Sequence, residues 1–164
     1  MATMSRDLGS HDSARYDLDG RMGDDGVHVY PVRVFYEDTD AGGIVYHANY
    51  LRFMERARTS LLRLAGWKQS EIVADTGVAF AVRRMTIDFV APAKLDDTLE
   101  VLTKIIDTRG ASFAAAQWIM RGDQKLVGAE IQVAAVTAGR AARLPAAMRQ
   151  TLEKMTMAAA TPSR

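Results

Sequence analysis

The 164-residue chain contains no cysteine and has no surplus of charge of either sign. The absence of cysteine excludes disulfide bonds, a thiol nucleophile and a cysteine-ligated zinc site, and it fits a reducing cytoplasm. The 21 basic and 20 acidic residues are mixed along the chain and leave a net charge of +1. Without a dominant run of Lys and Arg, nucleic acid is not expected as a partner.

Long hydrophobic runs are also missing from the sequence. No segment reaches the roughly 18 to 20 apolar residues that span a bilayer, so no transmembrane segment is expected. Residues 1–26 are rich in Asp, Gly and Ser and have no apolar h-region, so they do not resemble a secretory signal. We expect a disordered N-terminal tail at residues 1–26, because this composition buries too little surface to become ordered.

One amphipathic helix is predicted in the first half of the chain. Residues 27–37, "VHVYPVRVFYE", come before it and alternate apolar with polar side chains, which is typical of a strand. Gly66 follows the helix, where a left-handed cap residue is expected. The helix is recognised by apolar residues that recur at spacings of three and four: Tyr50, Phe53, Met54, Ala57, Leu61 and Leu64.

Strand patterns fill most of the second half of the chain. Four stretches are separated by short turns, two of which contain Gly110 and Gly122. A final amphipathic stretch at 145–157 predicts a terminal helix. The order of elements favours an α+β fold in which an antiparallel curved sheet of about five strands wraps around one long central helix. We expect this domain at 27–140, with a C-terminal helix and tail at 141–164.

The predicted sheet also bears on assembly. A strongly curved, open sheet leaves edge strands with unpaired backbone groups, and proteins commonly hide such edges by pairing with a second copy. We therefore expect a homo-oligomer, either a dimer or a tetramer built from dimers.

The segment before the helix, "YEDTDAGGIVYHANY", concentrates polar residues and glycines in a short space. The start of a helix offers unpaired backbone N–H groups and attracts negative charge. From the pattern alone, Asp38 and Asp40 suit an Asx turn or a helix cap, and they also suit an active site. His47 by itself suits capping or packing. No further ligand accompanies these three residues, so no metal is expected.

The longer string "YEDTDAGGIVYHANYLRFMERARTSLL" resembles the signature of the hotdog-fold thioesterases of the 4-hydroxybenzoyl-CoA thioesterase type. It is most similar to their YbgC branch of acyl-CoA thioesterases, which is associated with the Tol-Pal system. The resemblance continues through "VAFAVRRMTIDFVAPAKLDDTLEV" and "TRGASF" and covers about residues 30–140. It implies a hotdog fold, an acyl-CoA substrate and no cofactor. The implied location is the cytoplasm, with the surface of the inner membrane as an alternative.

The resemblance implies roles for the residues before the helix. In the family, the aspartate that matches Asp40 is the nucleophile or general base. The backbone N–H at the position of His47 polarises the thioester carbonyl, and its imidazole is a candidate to hold water or assist the leaving thiolate. Gly42 and Gly43 permit a sharp turn and a close approach of substrate.

Residues for substrate binding follow from the same resemblance. Arg109 and Ser112 stand where the benzoyl-CoA branch uses an arginine and a serine to hold the nucleotide. Tyr46, Tyr50 and Phe53 are candidates for the acyl pocket, and a core position is the alternative for each of these aromatic residues.

Alternatives to this function remain open in the sequence. A hotdog protein whose main role is to bind acyl carrier protein or lipid-synthesis partners would also carry this fold, and a dehydratase is a weaker third choice. Glu55 is the fallback catalytic carboxylate, because other hotdog branches place theirs on the helix. The competing interpretation of Glu55 is an ion pair with Arg52 or Arg58.

Overall fold

A computed structural model of the chain describes residues 18–158 as one antiparallel sheet packed against helices. No helix in this part of the chain is long and apolar enough to cross a membrane. A short 3₁₀ turn lies at Tyr36–Asp38, before the first helix. In chain order the other elements are β1 (Arg21–Met22), β2 (His28–Arg33), α1 (His47–Leu64), α2 (Gln69–Thr76), β3 (Ala79–Phe89), β4 (Thr98–Thr108), β5 (Ser112–Arg121), β6 (Gln124–Thr137), β7 (Arg140–Ala141) and α3 (Ala146–Ala158).

The strands follow the order β1-β2-β4-β5-β6-β3, and β7 pairs with β6. Consecutive strands β4, β5 and β6 are joined by tight turns, as their alternating patterns and turn glycines predicted. The five longer strands agree with the expected antiparallel sheet of about five strands. The α+β fold class is therefore confirmed.

The ordered part of the chain begins earlier than the sequence suggested. Strand β1 lies within the predicted tail, residues 1–26, and pairs with β2. His28 Nε2 also donates a hydrogen bond to the carbonyl of Asp19 at 2.6 Å. These contacts come from a segment with little apolar surface, so composition alone does not reveal them. The rest of the predicted tail, residues 1–17, lies outside the described residues.

Helix α1 covers the inner face of the sheet. Its apolar stripe is buried from Tyr50 to Leu61, as the spacing of three and four residues predicted, and Phe53 is only 1% exposed. Leu64, which the same spacing assigned to the stripe, is 39% exposed at the end of the helix. Facing side chains from the central strands, such as Val101 and Ile119, are fully buried. Burial of each large apolar side chain contributes about 1.5–3 kcal/mol, so this interface contributes strongly to stability.

A polar network is buried in the interface between α1 and the sheet. Gln117 on β5 is inaccessible to solvent and accepts a hydrogen bond from Arg58 Nη1 at 2.7 Å. Its amide donates to the carbonyl of Met54 at 3.1 Å and to Thr103 Oγ1 at 2.9 Å. Arg58 Nη2 also pairs with Glu55, one of the two ion pairs that the sequence suggested for that residue. The network fixes the position of α1 along β4 and β5.

Candidate active site

Asp40 lies in a tight turn between the first strands and α1. Its backbone N–H donates to the carbonyl of Ile44 at 2.9 Å, and its carbonyl accepts from Gly43 N–H at 3.0 Å. Gly43 has φ = +75°, a left-handed conformation that favours glycine. Gly42 N–H donates to Asp40 Oδ1 at 2.8 Å, and a Cβ at Gly42 would lie only 3.1 Å from that oxygen. The turn thus holds one carboxylate oxygen and leaves Oδ2 at the surface.

Asp38 has a structural position close to this turn. Its side chain is 7% exposed, and Oδ2 accepts a hydrogen bond from Phe35 N–H at 2.8 Å. Its carbonyl accepts from Tyr46 N–H and from Asn49 Nδ2, both at 2.9 Å. The buried Asn49 was not predicted as a site residue, since an asparagine in a first helical turn is a weak signal. Together these bonds fix the path of the chain into α1.

The first turn of α1 presents unpaired donors. Tyr46 is the N-cap residue, and it has no side-chain hydrogen bond to the helix. Neither aspartate therefore caps α1, whereas the bond from Gly42 N–H to Asp40 Oδ1 forms the Asx turn that the pattern also allowed. Within residues 18–158, no acceptor is bonded to the backbone N–H of His47 or Ala48. The positive end of the helix dipole lies at the same point, so an anionic oxygen is favoured there.

A surface cavity of about 330 Å³ adjoins this helix start. Asp40 and His47 both line it, so the structure brings the two predicted catalytic residues together. Gly42, Gly43 and Tyr46 are exposed nearby and are not part of its lining. The other side chains that matter for its chemistry are Tyr50, Phe89, Val90 and Pro92.

The cavity has an aromatic wall. The ring of Phe89 on β3 lies 6.3 Å from the His47 ring and 5.9 Å from the Tyr50 ring, measured between centroids. Of the three aromatic candidates for the acyl pocket, Tyr50 lines this cavity, whereas Phe53 is buried in the core. Phe89 was not assigned to the site from the sequence, because its alternation pattern marked only a strand.

Tyr50 also anchors the loop that closes the cavity. Its hydroxyl oxygen accepts a hydrogen bond from Ala93 N–H at 2.8 Å, and the carbonyl of Ala93 accepts from Val45 N–H at 2.9 Å. Burial raises the pKa of the Tyr50 hydroxyl, while the bond from Ala93 opposes this rise. The hydroxyl therefore stays protonated at neutral pH and retains a hydrogen that it can donate.

Arg109 and Ser112 lie far from Asp40 in the same chain. Ser112 pairs with Ala134 on β6, whereas Phe89 pairs with Val127. Val127 and Ala134 are seven residues apart, which corresponds to about 23 Å along the strand. The guanidinium of Arg109 forms an exposed ion pair with Asp107 at 2.7 Å, beside a small cavity of about 90 Å³ that Arg83 also lines. The predicted nucleotide and catalytic residues are thus not brought together within one copy.

The described residues hold no cluster of three or more His, Asp or Glu side chains with the geometry to bind a metal ion. The groups that border the cavity are the carboxylate of Asp40, the imidazole of His47 and the apolar and aromatic side chains around them.

Proteins of known class resemble this chain in sequence and in structure. The acyl-CoA thioester hydrolase YbgC of Escherichia coli is 50% identical over 108 residues, which are 65% of this chain and 80% of that protein. The acyl-CoA thioesterase YbgC of Haemophilus influenzae is 46% identical over 111 residues, 68% of this chain and 82% of that protein. The crystal structure of a probable thioesterase from Bartonella henselae superposes with a TM-score of 0.70 at 37% identity, covering 73% of this chain and 99% of that one.

The structural match confirms the expected hotdog fold, and the sequence matches confirm the resemblance to the YbgC branch. The sequence profile of the Thioesterase-like superfamily matches residues 34–152, which include the turn, α1 and all four of the strands from β3 to β6. With well over half of its length matched in this way, the chain belongs to the Thioesterase-like superfamily.

Proposed function

We propose that the chain hydrolyses an acyl-CoA thioester to the free acid and CoA. The observation that carries this proposal is the shared cavity, which the Asp40 carboxylate and the start of α1 both border. The names of the two YbgC relatives, an acyl-CoA thioester hydrolase and an acyl-CoA thioesterase, support the same reaction.

The helix start supplies the oxyanion site in this mechanism. The thioester carbonyl oxygen accepts hydrogen bonds from the unpaired N–H groups of His47 and Ala48, which stabilise the negative charge that develops during attack. These donors belong to the backbone of a helix that is packed on the sheet, so they are already oriented before substrate binds. Preorganised donors of this kind cost no rearrangement at the moment of reaction.

Asp40 supplies the carboxylate. Its Oδ2 either attacks the carbonyl carbon to form an anhydride that water then hydrolyses, or removes a proton from the water that attacks. In both routes the bond between carbon and sulfur breaks, and the CoA thiolate leaves and takes up a proton. Gly42 N–H holds the other oxygen, Oδ1, and so orients the carboxylate. The His47 imidazole borders the same cavity, where it can hold the water or assist the leaving thiolate.

A dimer would complete the site. Within the described residues, β3 hydrogen-bonds only to β6, and its other edge is free along 11 residues. Val82 and Phe89 on this strand are 46% and 50% exposed. A long free edge with apolar side chains favours antiparallel pairing with β3 of a second copy.

This pairing would join the two separated parts of the site. Antiparallel pairing places the Ala79 end of one β3 beside the Phe89 end of the other. Arg109 and Ser112 of one copy, which lie toward the opposite end of β6 from Phe89 in their own chain, then approach the Asp40 cavity of the partner. Together with Arg83, Arg109 provides positive charge for the phosphates of the CoA nucleotide.

Light scattering at micromolar concentration should give the mass of a dimer, or of a tetramer of dimers. The test variant is Val82→Lys, which adds a charge to the free edge of β3. The matched control is Thr98→Lys, which adds the same charge on β4. We expect the first variant to dissociate more readily than the parent and the second to behave like the parent. A monomeric parent protein would contradict the shared site.

Release of free thiol from a panel of acyl-CoAs of graded chain length tests the proposed reaction directly. We expect turnover of at least one acyl-CoA, and comparison with the same acyl group on acyl carrier protein identifies the preferred thioester. Absence of hydrolysis across the panel, with binding of the carrier protein retained, would favour the alternative of a binding protein.

A further inference from the structure

A second cavity lies between α1 and the sheet, near the Ala79 end of β3. It measures about 110 Å³ and is separate from the Asp40 cavity in the same chain. Five of its eight lining residues are apolar, and the polar ones are Glu55 and Arg58 on α1 and Gln69 on α2. The residues that matter here are Glu55, Arg58, Leu62, Phe80, Val82 and Phe113.

The carboxylate in this cavity is held in a fixed orientation. Arg58 is 6% exposed, and its guanidinium is tied to the buried Gln117 as well as to Glu55. The side chain of Glu55 is 54% exposed, so its carboxylate is accessible to water. The pair differs from an ordinary surface ion pair because Arg58 is fixed by its hydrogen bond to the buried Gln117. Arg58 therefore restricts the movement of the Glu55 carboxylate.

Pairing of two copies along the free edge of β3 would bring a part of the second copy next to this cavity. If a two-fold axis passes beside Met85, close to the middle of the strand, Phe80 of one copy lies opposite Phe89 of the other, because the register shift between Val82 and Arg84 leaves both residues four ladder positions from Met85. Phe80 lines the Glu55 cavity, and Phe89 lines the Asp40 cavity. Both cavities are on the face of the sheet that α1 covers. The Glu55 cavity of one copy therefore adjoins the Asp40 cavity of its partner.

We propose that Glu55, held by Arg58, belongs to the acyl site of the neighbouring copy and limits the length of the apolar acyl chain accepted there. This inference rests on the function proposed above. A short acyl group leaves the carboxylate hydrated. A long apolar chain that reaches Glu55 removes its water and offers no hydrogen-bond donor in exchange, which is costly for a charged group. The apolar side chains that line the cavity would otherwise pack against such a chain.

The length limit is tested with Glu55→Leu and Glu55→Gln. The measured quantity is the ratio of kcat/KM for dodecanoyl-CoA to kcat/KM for butyryl-CoA. We expect Glu55→Leu to raise this ratio at least about tenfold. Glu55→Gln preserves the shape of the side chain and an acceptor for Arg58, and it should raise the ratio as well, because a neutral amide loses less on dehydration. An unchanged ratio in Glu55→Gln overturns the proposal even if Glu55→Leu does not fold.

The placement in the neighbouring copy is tested with mixed dimers. One chain carries Asp40→Asn and the other carries Glu55→Leu, and two different affinity tags isolate the mixed species. In this mixed dimer, the only active site is the one that contains Asp40 of the Glu55→Leu chain, because the other chain carries Asp40→Asn. If Glu55 acts across the interface, that site is completed by an unaltered Glu55, and the ratio equals that of the parent. A raised ratio means that Glu55 acts within its own chain and overturns the placement.

The same experiment separates this inference from the proposed function. The dimer in which both chains carry Asp40→Asn is measured beside the mixed species. Substantial activity in that dimer would refute the catalytic role of Asp40, which belongs to the proposed function. An inactive Asp40→Asn dimer together with a raised ratio in the mixed dimer would refute only the role of Glu55 across the interface.

Discussion

Asp40→Asn is expected to lower kcat by about 10²- to 10⁴-fold, the usual contribution of a catalytic base, and by at least as much if the carboxylate is the nucleophile. Asparagine keeps the side-chain oxygen that accepts the hydrogen bond from Gly42 N–H, so the turn should survive. The exposed position of residue 40 also makes the change inexpensive for the fold. Steady-state kinetics with a short acyl-CoA, together with thermal unfolding, measure both effects.

Asp38→Asn is the matched control for this change. The two aspartates lie two residues apart, but the Asp38 carboxylate is buried and bonded to Phe35 N–H. We therefore expect kcat within about tenfold of the parent for Asp38→Asn. His47→Ala should cost less than Asp40→Asn, since alanine retains the backbone N–H. If Asp40→Asn also stayed within about tenfold of the parent, the catalytic assignment would move elsewhere, with Glu55 next to be tested.

Phe53→Ala is expected to lower the free energy of unfolding by about 3–5 kcal/mol. Phe53 is 1% exposed and packs edge-on against Tyr50, with 6.2 Å between ring centroids. Alanine would remove the buried ring and leave a space between α1 and the sheet that close-packed neighbours cannot fill. Urea unfolding followed by circular dichroism gives the change in free energy.

Tyr46→Ala provides the comparison, because the sequence made both aromatic residues candidates for the acyl pocket, with a core position as the alternative. Tyr46 is 46% exposed, so its replacement should change the free energy of unfolding by only about 0.5 kcal/mol. A loss below about 1 kcal/mol for Phe53→Ala would contradict its assignment to the core and restore it as a candidate for the acyl pocket.

The local structure around the site was readable from the sequence. Apolar residues at helical spacing predicted α1, and the run of aspartates and glycines before it predicted a tight turn at a helix start. These features depend on residues within a few positions of one another, so their pattern in the chain carries the information. The roles proposed for Asp40 and His47 required the family resemblance in addition, because a cap and an active site use the same residue types.

The tertiary structure decided which side chains surround the turn that contains Asp40. Because of the register of β3 and β5 on β6, Phe89 reaches the Asp40 cavity, whereas Ser112, near Arg109, pairs with β6 about 23 Å farther along that strand. Register shifts between Val82 and Arg84 and between Ile119 and Met120 change the alignment of β3 and β5 with β6. The local sequence pattern did not predict these shifts. The sequence by itself therefore determined which elements form and where the reactive turn lies. The tertiary structure decided which distant side chains surround it, because contacts across a sheet depend on how strands align and not on how residues are spaced along one chain.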